Sequence, residues 1–175
     1  MSGHSKWSQI KGKKELTDKK KAQLFSRISK LITIAARKGT DPKANPALAQ
    51  MIEKAKSMNM PNDNIERAIK KVSDKSQNQP EEIVIEAIGP GGVPLRIKVI
   101  TDNKNRTIPE IRKILGDHAS KLVPPGSISW MFNSPTGEAG MPTSEIDEDS
   151  QKKLDALFEA LDEHDDVEDV ESNLQ

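Results

Sequence analysis

Seven lysines, Lys6, Lys11, Lys13, Lys14, Lys19, Lys20 and Lys21, are packed into sixteen residues, and Trp7, one of two tryptophans in the chain, stands at their head. Cations at that density neutralise phosphates. An indole beside them offers a face on which a base can stack, an interaction worth about 1–3 kcal/mol per base. The pairing points to single-stranded or irregular RNA rather than to a reaction. A second use of Trp7 stays open, in which the ring folds back as an apolar lid on the helices that follow.

No other group of residues has the spacing of a catalytic or metal centre. His4, His118 and His164 are far apart, cysteine is absent, and the carboxylates near His164 crowd an acidic helix end. There is no G-x-S-x-G elbow. "GPGGVPLRI" at 89–97 lacks the Gly-Lys-Ser/Thr of a phosphate loop and leads into a strand, so it reads as a tight connection. In "TDNKNRT" at 101–107, Asn103 and Asn105 suit a turn and Thr107 a helix cap; Arg106 is read as solvated, with phosphate donation as the alternative. The expectation is a non-enzyme without metal or other cofactor.

The elements that must carry the basic arm follow from periodicity. From Asp18 to Lys38 the apolar residues Leu24, Phe25, Ile28, Leu31, Ile32 and Ala35 recur every three or four positions, with Thr17 or Asp18 as cap and Gly39 beyond the end. Asn45 and Pro46 open a second helix with its stripe at Leu48, Met51, Ile52 and Ala55. A third, begun near Pro61, turns Ile65, Ala68, Ile69 and Val72 inward. None could bury its stripe alone, so residues 1–75 are expected to form a basic arm and a three-helix bundle.

Residues 76–82 are polar and aperiodic and read as a linker. The remainder, 83–175, changes rhythm. Ile- and Val-rich runs at 83–88 and 95–101 read as strands, and "GSISWMF" at 126–132 as a third. A helix is expected from Thr107 to His118, opened by a capping box of Thr107 and Glu110, and another from Asp149 to His164. Val167 and Val170 suggest an edge strand, although a spacing of three suits a strand poorly. The predicted fold class is α+β: a three-helix bundle, then a small α+β domain with a mainly antiparallel sheet.

Charge divides the same way. Residues 1–75 hold 18 Lys and Arg against 7 Asp and Glu, whereas residues 76–175 hold 9 against 20. Such asymmetry points to a polyanion-binding N-terminal module. No apolar run reaches membrane-spanning length and the N-terminus has no secretory signature, so a cytoplasmic address is expected, with no membrane partner.

Read in order, "GHSKW", "DPKANPALAQMIEKAKSMNMPNDNIERAI", "IGPGGV", "TDNKNRT" and "GSISWMF" resemble the YebC family over residues 2–133, and "LDALFEALDEHDDVEDVESN" is similar to that family's C-terminal helix and strand. The resemblance implies a three-helix N-terminal domain followed by α+β structure. It also implies a translation factor, formerly labelled a transcriptional regulator, that binds the ribosome and relieves stalling at consecutive prolines.

Carried onto this chain, the resemblance places RNA contact on Gly3, His4, Ser5, Lys6 and Trp7, and gives a similar role to the helix connection at Asn59, Met60 and Pro61. Lys11, Lys13, Lys14, Lys20 and Lys21 join them by charge. The expected partners are the ribosome, through ribosomal RNA and peptidyl-tRNA, with the chain a monomer; duplex DNA is the partner under the alternative reading of a transcriptional regulator. One departure stands out. Typical members insert a third domain after the "SISWMF" segment, where this chain has only "NSPTGEAGMPTSEID", so it reads as a shortened relative.

Overall fold

The computed structural model describes residues 17–132 and 146–174, which divide into two compact units. The first comprises the described residues 17–82 together with Ile100–Asn103; the second comprises Ile83–Val99 and the described residues from Lys104 onward.

Three helices build the first unit: α1 (Asp18–Ala36), α2 (Pro46–Ser57) and α3 (Asn62–Lys70). The Lys20 N–H donates to Thr17 Oγ1 at 3.4 Å, which caps α1. Asn45 does more than the expected capping. Its Oδ1 accepts from the Leu48 N–H at 3.2 Å, opening α2, while its Nδ2 donates at 2.8 Å to the carbonyls of Ala35 and Gly39 at the end of α1. One buried side chain thus closes one helix and starts the next. The core is Ile28, Ile32, Ala36, Leu48, Ala55, Met60, Ile65 and Ala68, all but Ala36 and Met60 drawn from the stripes anticipated from the 3.6-residue period.

Residues 74–80, most of which read as free linker, are tied to this unit. The Asp74 carboxylate accepts from the Ser76 N–H (3.0 Å) and from Gln77 Nε2 (2.8 Å). Gln79 Nε2 donates to the Lys71 and Asp74 carbonyls at 2.9 and 3.0 Å, and Arg37 donates to the Pro80 carbonyl.

The second unit holds most of strands β1 (Glu81–Ile88) and β2 (Pro94–Thr101), with β3 (Lys121–Leu122) and β4 (Val167–Ser172), in the order β3-β1-β2-β4, and helices α4 (Lys104–Asp117) and α5 (Glu148–Asp162). β3 pairs antiparallel with β1, and β4 with β2. The short connection between β1 and β2 makes them a hairpin. Leu95, Ile97 and Val99 point to one face, where they form a single core with Ile111 and Leu115 of α4 and Leu154, Leu157, Phe158 and Leu161 of α5. The fold class is α+β, as expected.

Three details depart from expectation. First, 126–132 is not a strand. Gly126 adopts φ 85°, Ser129–Met131 forms a 3-10 turn, and the segment is held by a side chain: Glu86 accepts from the Ile128 N–H at 3.0 Å and from the Ser129 hydroxyl. Burial alone would push the Glu86 carboxyl up. The hydrogen bonds from Ser129, Ile128 and Gly126, with the charge of Arg96, outweigh it and leave the group below its ordinary value. The two-residue β3 occupies the sheet edge instead.

Second, α4 begins at Lys104 rather than Thr107. The Thr107 side chain is buried and donates to Asp166 Oδ2 at 2.6 Å, so Thr107 sits inside the helix rather than at its N-cap. Third, Val167 and Val170 do face one core despite their spacing of three. The β2–β4 register slips between Lys98 and Val99, pairing Val99 with Val167 and Ile97 with Val170, and this bulge absorbs the extra residue.

Candidate nucleic-acid interface

Described residues 17–82 carry 14 Lys and Arg against 8 Asp and Glu, so the helical unit is the basic one. Of the residues expected to meet RNA, Gly3, His4, Ser5, Lys6, Trp7, Lys11, Lys13 and Lys14 lie outside the described residues. Lys20 and Lys21 stand in the first turn of α1, where the Lys21 ammonium lies 5.9 Å from the centroid of the Phe25 ring.

The α2–α3 connection resolves into separate roles. Asn59 is left-handed, φ 58°, and its N–H bonds the Lys56 carbonyl at 2.9 Å while the Met60 N–H bonds Ala55 at 3.0 Å. That is a Schellman closure, with asparagine supplying the αL residue where glycine is commoner. Met60 is 4% exposed and packs in the core. Of the three residues of this connection, Asn59 and Pro61 are the ones whose side chains are exposed.

A groove of about 770 Å³ opens between α1 and α3. At its floor Thr33 Oγ1 bonds the Ala68 carbonyl at 2.9 Å and the Ser29 carbonyl, one turn back in its own helix, at 3.0 Å, which pins α1 to α3. Lys30 lines it from α1, Arg67 and Lys70 from the last turn of α3, and Lys71 from the turn beyond; Phe25 forms part of the wall. Two carboxylates, Asp74 and Asp102, also border it. Bonds from the Ser76 side chain and N–H, then Gln77, with the nearby Lys71 charge, hold the Asp74 carboxyl below its usual range.

Sequence reading did not single out Arg67, Lys70 or Lys71. Their i, i+3, i+4 spacing, which sets three cations side by side on one helical face, is the signal that could have found them.

In the second unit, Arg106 is paired rather than merely solvated. Its Nη2 lies 2.7 Å from Asp166 Oδ2, and its Nε is 3.7 Å from Glu110. His164 joins the same network: Nδ1 accepts from the Asp166 N–H and Nε2 lies 3.1 Å from Glu110, both at 3.1 Å. The network ties α4 to the approach of β4.

The "GPGG" loop is a structural turn. Gly91 and Gly92 adopt φ 71° and 76°, and a Cβ on Gly91 would stand 2.9 Å from Ile146 Cγ2. Among the described residues no group of three or more His, Cys, Asp or Glu is placed to hold a metal, and no helix is long and apolar enough to cross a membrane.

Comparison with known proteins follows this division. The family described as TACO1/YebC protein N-terminal domain matches residues 5–75, and that described as TACO1/YebC second and third domain matches 80–137. A probable transcriptional regulatory protein of Halothermothrix orenii is 46% identical over 162 residues, covering 91% of this chain and 64% of its own. One from Chlorobaculum parvum is 45% identical over 169 residues, covering 94% and 67%. The chain thus spans about two thirds of the length of these curated relatives. The crystal structure of a conserved hypothetical protein, Aq1575 from Aquifex aeolicus, superposes with a TM-score of 0.86 at 30% identity, covering 98% of this chain and 97% of that one.

Proposed function

The chain belongs to the TACO1/YebC family, and from that premise we propose that it is a non-enzymatic, RNA-binding translation factor that acts on the ribosome to relieve stalling at consecutive prolines. The observation that carries the reading is the separation of charge. The helical unit gathers the cations, together with an open basic groove, while the α+β unit is acidic. A phosphate polymer is attracted to the first and repelled by the second, so the helical unit and its N-terminal arm lie along ribosomal RNA, favouring a productive geometry of stalled peptidyl-tRNA. The factor works as a monomer in the cytoplasm. The acidic unit faces protein or solvent.

Ribosome profiling of a deletion strain tests this: occupancy should rise at proline runs, and unchanged occupancy there would sink the proposal.

The relatives' printed names favour a second reading, a DNA-binding regulator of transcription. α2 and α3 are joined by the four residues 58–61, a connection short enough for a helix-turn-helix. The leading half of α3, which would have to meet base edges, presents exposed Asp63 and Glu66. Carboxylates there oppose the backbone that a recognition helix must approach. Binding to ribosomes and to duplex DNA at matched salt separates the two readings, since phosphate contacts make either affinity salt-dependent.

A further inference from the structure

We propose that the groove between α1 and α3 is itself a binding site for single-stranded RNA, with Arg67, Lys70 and Lys71 holding the sugar-phosphate backbone and the Phe25 wall receiving a base. The inference rests on the RNA-binding reading above and assigns it a place in the fold.

Charge, shape and chemistry agree on this ligand. Four cations, Lys30, Arg67, Lys70 and Lys71, line one groove against two carboxylates. Basic residues in the last turn of α3 complement the helix dipole, which explains their presence at that end but not their shared opening with Lys30 across the groove. Among the described residues, none of Arg67, Lys70 and Lys71 is drawn into an ion pair with a carboxylate. Asp74, by contrast, is saturated by Ser76 and Gln77 within its own turn.

The groove presents its cations in one short row, which a single sugar-phosphate strand can follow. An aromatic wall in a positively charged groove is the arrangement by which single strands are held without sequence readout. The Thr33–Ala68 bond keeps the floor fixed, so the site is formed before the strand arrives.

The test uses the full chain and a fluorescently labelled single-stranded RNA dodecamer, titrated at several salt concentrations. Two charge-matched double variants are compared: Arg67→Glu with Lys71→Glu in the groove, and Lys54→Glu with Lys56→Glu on α2, outside it. All four are exposed apart from Lys71, which is intermediate, so the fold should survive; circular dichroism checks this. The groove variant should raise Kd by about tenfold or more and lower the log–log salt slope by about 1.4, the counterions of two single-strand phosphate contacts. The α2 variant should change Kd by less than about threefold. Phe25→Leu, which keeps the apolar packing, should weaken binding without altering the salt slope.

Equal losses in the two double variants would mean that net charge alone governs affinity, which overturns the groove while leaving RNA binding intact. Tighter binding of a duplex of the same sequence would overturn it too. If the unmodified chain bound neither the dodecamer nor ribosomes, the RNA reading itself would fall.

Discussion

Thr33 joins α1 to α3 through a single buried hydroxyl. Its side chain is 1% exposed, and its one hydroxyl proton is shared between the Ser29 carbonyl, four residues back, and the Ala68 carbonyl, 35 residues on in sequence. The first bond is an ordinary habit of threonine in helices. The second joins α1 to the last turn of α3, where carbonyls begin to lack intrahelical donors. Thr33→Val keeps the shape and removes the donor. A buried carbonyl deprived of a partner costs about 1–3 kcal/mol, and the added methyl returns up to about 0.8 kcal/mol, so the net loss should be about 1–2 kcal/mol. That corresponds to a roughly 5- to 30-fold larger opening constant. Native-state hydrogen exchange at α1 and α3 amides is the right assay, because it reads this unit separately from the α+β unit. Protection there should fall by that factor while α4 and α5 amides keep theirs. Unchanged protection in α1 and α3 would refute the claim that this bond fixes the groove floor.

In the hairpin loop, Gly91→Ala should cost about 2–3 kcal/mol, from left-handed strain together with displacement of Ile146, whereas Gly92→Asn, at a similar φ with open space around it, should cost under about 1 kcal/mol; thermal melting of the two variants shows the contrast. Asp166→Ala should lower stability by about 2–4 kcal/mol in urea denaturation, because the Thr107 hydroxyl is fully buried, and Asp166→Asn by roughly half as much, since Arg106 is exposed enough to rehydrate and an amide oxygen still accepts from Thr107. Glu86 sets a pH dependence. Its folded carboxyl lies below its ordinary value, so its contribution is present above that ordinary value and disappears as pH falls through the depressed one; stability measured from neutral pH into the carboxylate range should show an acid limb that Glu86→Gln flattens.

The helices of the first unit were legible because their signals are local. Asn45 and Pro46 announce α2, and apolar spacing alone names Ile28, Ile32, Leu48, Ala55 and Ile65 as core. The errors share one cause, a partner outside any local window. Thr107 and Glu110 have the spacing of a capping box, yet the Thr107 hydroxyl goes to Asp166, 59 residues later. "GSISWMF" has the composition of a strand, but Glu86, 42 residues earlier, takes the Ile128 N–H that a ladder would use. Val167 and Val170 are out of phase for a regular strand and come into phase only through a bulge set by β2. Arg106 drew two local readings, and both missed a carboxylate supplied from the far end of the chain.

The candidate site divides along the same line. Charge excess is a sum over residues and needs no fold, so the basic character of the N-terminal half was plain from composition. Where that charge acts is a matter of convergence, and Lys30 meets Arg67 and Lys71 only because α1 and α3 are brought together by Thr33 and Ala68. The distinction has a physical consequence. Dispersed lysines raise the local concentration of any polyanion, whereas cations fixed along one groove, beside an aromatic wall, hold a single strand in a defined place. On the RNA-binding reading proposed above, a lysine-rich arm ahead of such a groove has a different task from the groove itself: the arm would speed encounter and the groove would set position. Truncating the one should slow association, and reversing charge in the other should hasten dissociation.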